Sequence, residues 1–172
     1  MAVRGGVRFV LLRERDLDDA AFGRLARRVA GALPVGTVLS IHSRAAVARA
    51  LGAGLHLAEA APEVPTKAIW HGRSVHDPIA MGRAREEGAA YVLAGTVHAS
   101  PGKPEVAAVG VAGLRAMCAA AGALPVFAIG GLTPRRVEEA RAAGAYGVAV
   151  VGAILEADDP EAAARALCRA VH

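Results

Sequence analysis

The sequence predicts a parallel α/β barrel of the TIM type, and three observations carry that expectation. Short apolar runs alternate with helical patterns along the whole chain, as they do in successive βα units. Most of these runs are continuously apolar, as in "YVLAGTV" (91–97) and "GVAVVGAI" (147–154), which suits strands covered on both faces. The glycines that matter stand late, at Gly130, Gly131 and Gly152, where barrels place the backbone amides of phosphate sites. An open dinucleotide-binding sheet would need glycines after the first run, and "VLLRERDLDD" (10–19) has none.

Taken in order, the first strand is expected over 7–13, closed by the charged string Arg13-Glu14-Arg15, with Asp16 ahead of the next helix. The second strand is expected over 37–42, with a helix after Ser43. The third covers 54–59, and the stretch from there to Lys67 is too short for a full helix and reads as an irregular link. The remaining strands are expected over 67–75, 91–97, 125–131 and 147–154. Three helices start at Asp77-Pro78, Thr133-Pro134 and Asp159-Pro160, where a capping side chain precedes a proline whose missing N–H costs nothing. Gly54, Gly88, Gly122 and Gly144 fall near helix ends, where a left-handed residue lets the chain turn back. A full barrel usually needs at least ~200 residues, so seven strands are one unit short of closure.

The 172 residues fit one domain, and 54% hydrophobic against 21% charged residues excludes a disordered chain. Cys118 and Cys168 lie far apart in alanine-rich helical patterns and read as reduced packing residues. No apolar run reaches the length of a membrane span, and the start is too short and too charged for a secretion signal, so a cytoplasmic protein without a membrane partner is expected. The net charge of +4 rests almost wholly on arginine, which suits carboxylate or phosphate ligands. Nucleic acid is not expected, because aromatics are only 3% and the arginines are scattered among acidic residues.

Several residues at strand ends could carry chemistry. Gly130, Gly131 and Gly152 can bring backbone amides close to a phosphate, although the glycine pair also reads as a tight turn. The loop after the fifth strand, "GTVHASPGKP" (95–104), offers a titratable His98, a hydroxyl at Ser100 and a cation at Lys103. One or two of Arg13, Glu14 and Arg15 should point into the barrel mouth, where a cation needs Glu14, Glu59 or a ligand phosphate as partner. His42, His56 and His76 fall at or near strand ends without zinc-site spacing, so no metal is expected, and His56 within "GLHLAE" reads as a satisfied core histidine.

Six strings in order then resemble the thiamine phosphate synthase/TenI superfamily: "LLRERD" (11–16), "GLHLAE" (54–59), "GRSVHD" (72–77), "YVLAGTVHASPGK" (91–103), "PVFAIGGLTP" (125–134) and "GAYGVAVVGAI" (144–154). The form of "GRSVH" is most similar to the TenI branch. The resemblance implies a (β/α)8 barrel matched from its second strand onward, with the first strand and helix absent here. Such a sheet would have two exposed edges that a partner chain or the N-terminal residues must cover, and a homodimer is expected.

The resemblance also implies two activities. Synthases of the family join a pyrimidine pyrophosphate to a thiazole phosphate with Mg²⁺, whereas TenI proteins are tautomerases that aromatise a thiazole carboxylate phosphate. The family's "INDR" is "IHSR" (41–44) here, so His42 replaces Asn and Ser43 replaces the metal-binding Asp, while "AEAAPE" (58–63) lacks the second Asp. Magnesium would lose its carboxylate anchors, and no cofactor is expected. Arg13, Arg15, Ser100, Lys103, Gly130, Gly131 and Gly152 match the family's phosphate apparatus, with His42, His76 and Thr96 beside it. The tautomerase histidine position is occupied by Thr96, and His98 stands two residues later. Were the strand extended there, Thr96 and His98 would face the same way, with His98 shifted by about 6–7 Å. The leading expectation is therefore a TenI-like protein that binds a phosphorylated thiazole and shifts a proton through His98. A divergent thiamine phosphate synthase or a silent phosphate-binding protein is the alternative.

Overall fold

The computed structural model describes residues 1–61, 69–99 and 107–171. The strands are β1 (Phe9–Leu12), β2 (Val38–His42), β3 (Gly54–Leu57), β4 (His71–Val75), β5 (Tyr91–Gly95), β6 (Val126–Ile129) and β7 (Gly147–Ala149). The helices are α1 (Asp19–Ala32), α2 (Ala45–Leu51), α3 (Pro78–Glu86), α4 (Gly110–Ala121), α5 (Pro134–Ala142), α6 (Gly152–Leu155) and α7 (Pro160–Val171). All seven strands pair in parallel and in sequence order, from β1 at one edge to β7 at the other. The sheet is strongly curled: Phe9 on β1 and Phe127 on β6 stack with ring centroids 6.2 Å apart, although four strands lie between them.

Each strand is shorter than the apolar run that announced it, because the last residues of several runs leave the ladder to line the mouth. The run over 147–154 divides into β7 and the short helix α6, since continuous apolarity does not distinguish strand from buried helix. Residues 62–68 lie outside the described residues, and with them most of the expected link and the start of the fourth run.

The capping expectations hold in part. Asp77 accepts a hydrogen bond from the Ala80 amide (2.7 Å), and Asp159 accepts from Glu161 (3.0 Å) and Ala162 (2.9 Å). Asp18, not Asp16, caps α1, accepting from Ala21 at 2.7 Å. Thr133 and Ser43 precede α5 and α2 without a side-chain cap; Ser43 instead takes a left-handed φ of 59°. The left-handed residue that ends α2 is Gly52, while Gly54 begins β3.

Period-two alternation sorts the sheet into two faces. Val10, Leu12, Leu39, Ile41, Leu55 and Leu57 face α1 and α2. Val75, Val92, Ala94, Val126 and Ala128 face α3, α4 and α5. The inner face holds five of the six aromatic residues, Phe9, Trp70, Tyr91, Phe127 and Tyr146, in one continuous set of ring contacts that floors the barrel. Glycines make room for this floor: a Cβ on Gly54 would lie 2.1 Å from the Trp70 ring, and one on Gly72 would lie 2.1 Å from Tyr91. At the β7 side, residues 1–7 pack on α7. Ala2 and Val7 join Val137, Ile154, Ala164 and Leu167, and Arg4 pairs with Glu161 at 2.9 Å.

Candidate functional site

Above the aromatic floor, a polar chain runs up the inner face. Tyr91 donates to Ser40 (3.2 Å), His56 Nδ1 lies 2.9 Å from the Tyr91 hydroxyl, and His56 Nε2 lies 3.0 Å from Ser74 Oγ. His56 is 1% exposed, and burial, with the charges of His42, Arg73 and Arg13, pushes its pKa down to about 3. The ring is therefore neutral, and both nitrogens are satisfied, as the core reading of this residue required. His42 is half-buried, its ring 5.9 Å from that of His56.

The chain ends at a cavity of about 590 Å³ at the C-terminal ends of β4 to β7, the usual position for a barrel site. Its lining includes Arg13, Ser74, His76, Thr96, Gly130, Gly131, Arg136, Gly152 and Glu156. Arg13 makes no hydrogen bond or ion pair among the described residues; Glu14 accepts from the Asp16 amide and Glu59 is taken by His76. Arg13 is exposed at the mouth, and partial burial with the neighbouring Arg15 charge lowers the pKa of its guanidinium. Arg15 is exposed and does not line the cavity. The turn carrying both arginines is anchored by Arg44, which donates to the Glu14 carbonyl (2.7 Å), pairs with Asp19 (2.9 Å) and covers the Phe22 ring.

The glycine pair has a structural task as well as a chemical opportunity. Gly130 (φ 105°) and Gly131 (φ 59°) both need positive φ, and a Cβ on either would run into Thr96 (2.5 Å) or the Ala99 carbonyl (2.7 Å). That close approach fixes the end of β5: the amides of Val97 and His98 donate to Ile129 and Gly130, while Thr96 and Val97 accept from Val109 and Gly110 at the start of α4. Gly152 is less constrained, and the exposed carboxylate of Glu156 stands over it.

His98 is not where the period-two reading put it. The strand ends at Gly95, Val97 is buried in the helix-side core, and His98 turns away from the lining toward α5. Its Nε2 lies 4.0 Å from Glu139, and burial, reinforced by Arg136 and opposed by Glu139, lowers its pKa. Thr96 does face the cavity, whereas Ser100 and Lys103 lie outside the described residues.

Three lining residues escaped the sequence reading. Ser74 and His76 share a face with Gly72 by alternation, so counting from that glycine would have placed Ser74 inside. Arg136, which donates to the Gly131 carbonyl at 2.7 Å, sits in the first turn of α5, where the helix dipole disfavours a cation; that misfit was its signal. Glu156 follows a run read as strand and could not be placed without knowing that α6 is helical.

Comparison with known proteins agrees with this architecture. The family model described as Thiamine monophosphate synthase matches residues 1–154. The chain is 39% identical to the thiamine-phosphate synthase of Thermus thermophilus, over 96% of this chain and 84% of that protein. It is 37% identical to that of Mycolicibacterium smegmatis, over 99% and 82%. Among solved structures it is similar to a thiamine phosphate pyrophosphorylase from Pyrococcus furiosus, with a TM-score of 0.88, 24% identity, and 99% and 85% of the two chains covered. A 3-hexulose-6-phosphate synthase shares the fold at a TM-score of 0.73 and 22% identity, with 99% and 91% covered.

Proposed function

Because the chain belongs to the thiamine monophosphate synthase family, we propose that it is a thiamine-phosphate-forming enzyme that joins a pyrimidine pyrophosphate to a thiazole phosphate in the cavity above the barrel floor. The observation that carries this reading is the cavity itself. It has room for small heterocycles, and it is faced by two guanidinium groups, of which Arg13 has no partner among the described residues. The glycine turns at Gly130, Gly131 and Gly152 bring backbone close to the same space, with the exposed Glu156 carboxylate standing over Gly152.

The family's reaction uses Mg²⁺, and the donor set of the described residues does not fit a carboxylate-held metal. Ser43 is exposed in a left-handed turn, residues 58–61 supply no Asp, and no three His, Cys, Asp or Glu side chains come together among the described residues. No step is derived through the metal. The synthase reading is preferred to the TenI tautomerase, since the relatives carry the synthase name and His98 does not reach the cavity.

The decisive assay supplies the purified protein with both substrates and follows pyrophosphate release and thiamine phosphate. Turnover is expected, and Arg13→Gln is expected to lower kcat/KM for the pyrophosphate substrate roughly 10- to 100-fold, the worth of one charge-assisted contact. Folded wild-type protein that releases no pyrophosphate would end this reading.

The same proposal includes a homodimer in the cytoplasm, with small phosphorylated ligands as partners and neither nucleic acid nor membrane involved. Val151 and Leu155 stay exposed beside the β7 edge, an apolar surface that a second subunit would cover. No described helix is long and apolar enough to cross a membrane. Sedimentation equilibrium is expected to return twice the chain mass.

A further inference from the structure

Four ionisable side chains line the cavity among the described residues, Arg13, His76, Arg136 and Glu156, and of these the imidazole is the type suited to handing on a proton. His76 follows β4, and its Nδ1 lies 2.6 Å from Glu59 Oε2, just past the end of β3. A carboxylate can only accept, so Nδ1 carries the proton and Nε2 is the atom offered to a ligand; it has no protein partner among the described residues.

Both members of the pair are held from behind. The buried guanidinium of Arg73, 3% exposed, donates through Nη1 to the carbonyls of Ala58 (3.0 Å), Glu59 (3.3 Å) and Ala61 (2.9 Å), and its Nε pairs with Glu87 at 2.7 Å. On the other side, Asp77 caps α3 directly after His76. The contact partner of the histidine is Glu59 after β3; the charged groups that share the cavity lining with it are Arg13 after β1, Arg136 in α5 and Glu156 after α6, while the Asp77 carboxylate is engaged by the Ala80 amide.

We propose that His76, oriented by Glu59, is the general acid that protonates the departing pyrophosphate. The inference rests on the synthase reading. It answers the mismatch found there: a pyrophosphate leaves poorly unless its developing charge is neutralised, and this mouth supplies two guanidinium groups and a proton where no cluster of three metal-ligating side chains comes together among the described residues. In the step, the bond between the pyrimidine methylene carbon and the pyrophosphate oxygen breaks, and its electron pair stays on oxygen. The thiazole nitrogen supplies the pair for the new C–N bond. The proton on Nε2 of the imidazolium passes to the pyrophosphate oxygen, and neutral His76 regains a proton from water.

In the synthase assay, His76→Gln is expected to lower kcat about 100-fold, with KM for both substrates changed less than about threefold. The wild-type pH profile of kcat is expected to carry a limb that is absent from His76→Gln. Glu59→Gln should lose part of kcat and move that limb, and Glu59→Asp should restore it. A His76→Gln protein that keeps wild-type kcat and the same limb overturns the proposal. A second measurement does not need turnover: inorganic pyrophosphate is titrated calorimetrically near pH 7.5 in two buffers of different ionisation enthalpy. Proton uptake by wild type that disappears in His76→Gln supports the assignment, and uptake unchanged by the substitution defeats it. Uptake at His76 in a protein that forms no thiamine phosphate would bring down the synthase reading while leaving His76 as the proton donor to bound pyrophosphate.

Discussion

Lowering the pH from 7 to 4 is expected to cost the folded protein about 3 kcal/mol through His56 alone, taking its folded pKa as about 3 against 6.5 unfolded. The sign follows from proton counting. Below pH 6.5 the unfolded chain binds a proton at this residue, while the folded state keeps the ring neutral between Tyr91 and Ser74. The stability is therefore fully present above that pH and declines as pH falls toward 3, by about 1.4 kcal/mol per unit in the middle of the window. His71 and His98, whose pKa values are also lowered by burial, act in the same direction. Urea unfolding as a function of pH checks this. His56→Asn should be less stable at pH 7 and show a shallower acid slope; an unchanged slope would remove His56 as its source.

Arg73→Ala is expected to destabilise the fold by about 3 kcal/mol, the order of a broken buried ion pair. Three backbone carbonyls of the β3–β4 link lose their donor, and Glu87 loses its partner. Arg73→Lys should recover only part of this, because one ammonium cannot reach the carbonyls and Glu87 with the same fork. Since the link carries Glu59, both variants should also disturb the Glu59–His76 pair. A drop in the chemical denaturation midpoint with an unchanged slope would measure the first effect, and a matched loss in His76-dependent proton uptake the second. Wild-type stability in Arg73→Ala would mean that the link is held by other contacts.

Arg73 shows how a correct motif can hide its own meaning. It stands in "GRSVH", a string noted only for its likeness to the TenI form, and alternation turns Arg73 outward and Ser74 and His76 inward. The arginine is thus a brace for the site, and its smaller neighbours line the cavity. The glycines divide in the same way. Gly130 and Gly131 were legible as a turn at the barrel mouth, but only the packed structure shows that Thr96 and Ala99 press against them.

By itself, the sequence determined what depends on near neighbours and periodicity: seven parallel strands, their order, the caps at Asp77 and Asp159, and a mouth rich in arginine and glycine. Those features follow from backbone preferences and side-chain burial within a few residues, so they can be counted along the chain. Which histidine faces the cavity could not be counted, because it depends on where β5 leaves the sheet and how its continuation bonds at the end of β6. There the backbone of Val97 and His98 bonds to Ile129 and Gly130, residues more than thirty positions away. That long-range pairing sends His98 toward Glu139, while His76 and Glu59, seventeen residues apart in sequence, are brought together at adjacent strand ends. Alternation along one strand fixes faces only while the strand lasts; beyond it, contacts between strands decide where a side chain points.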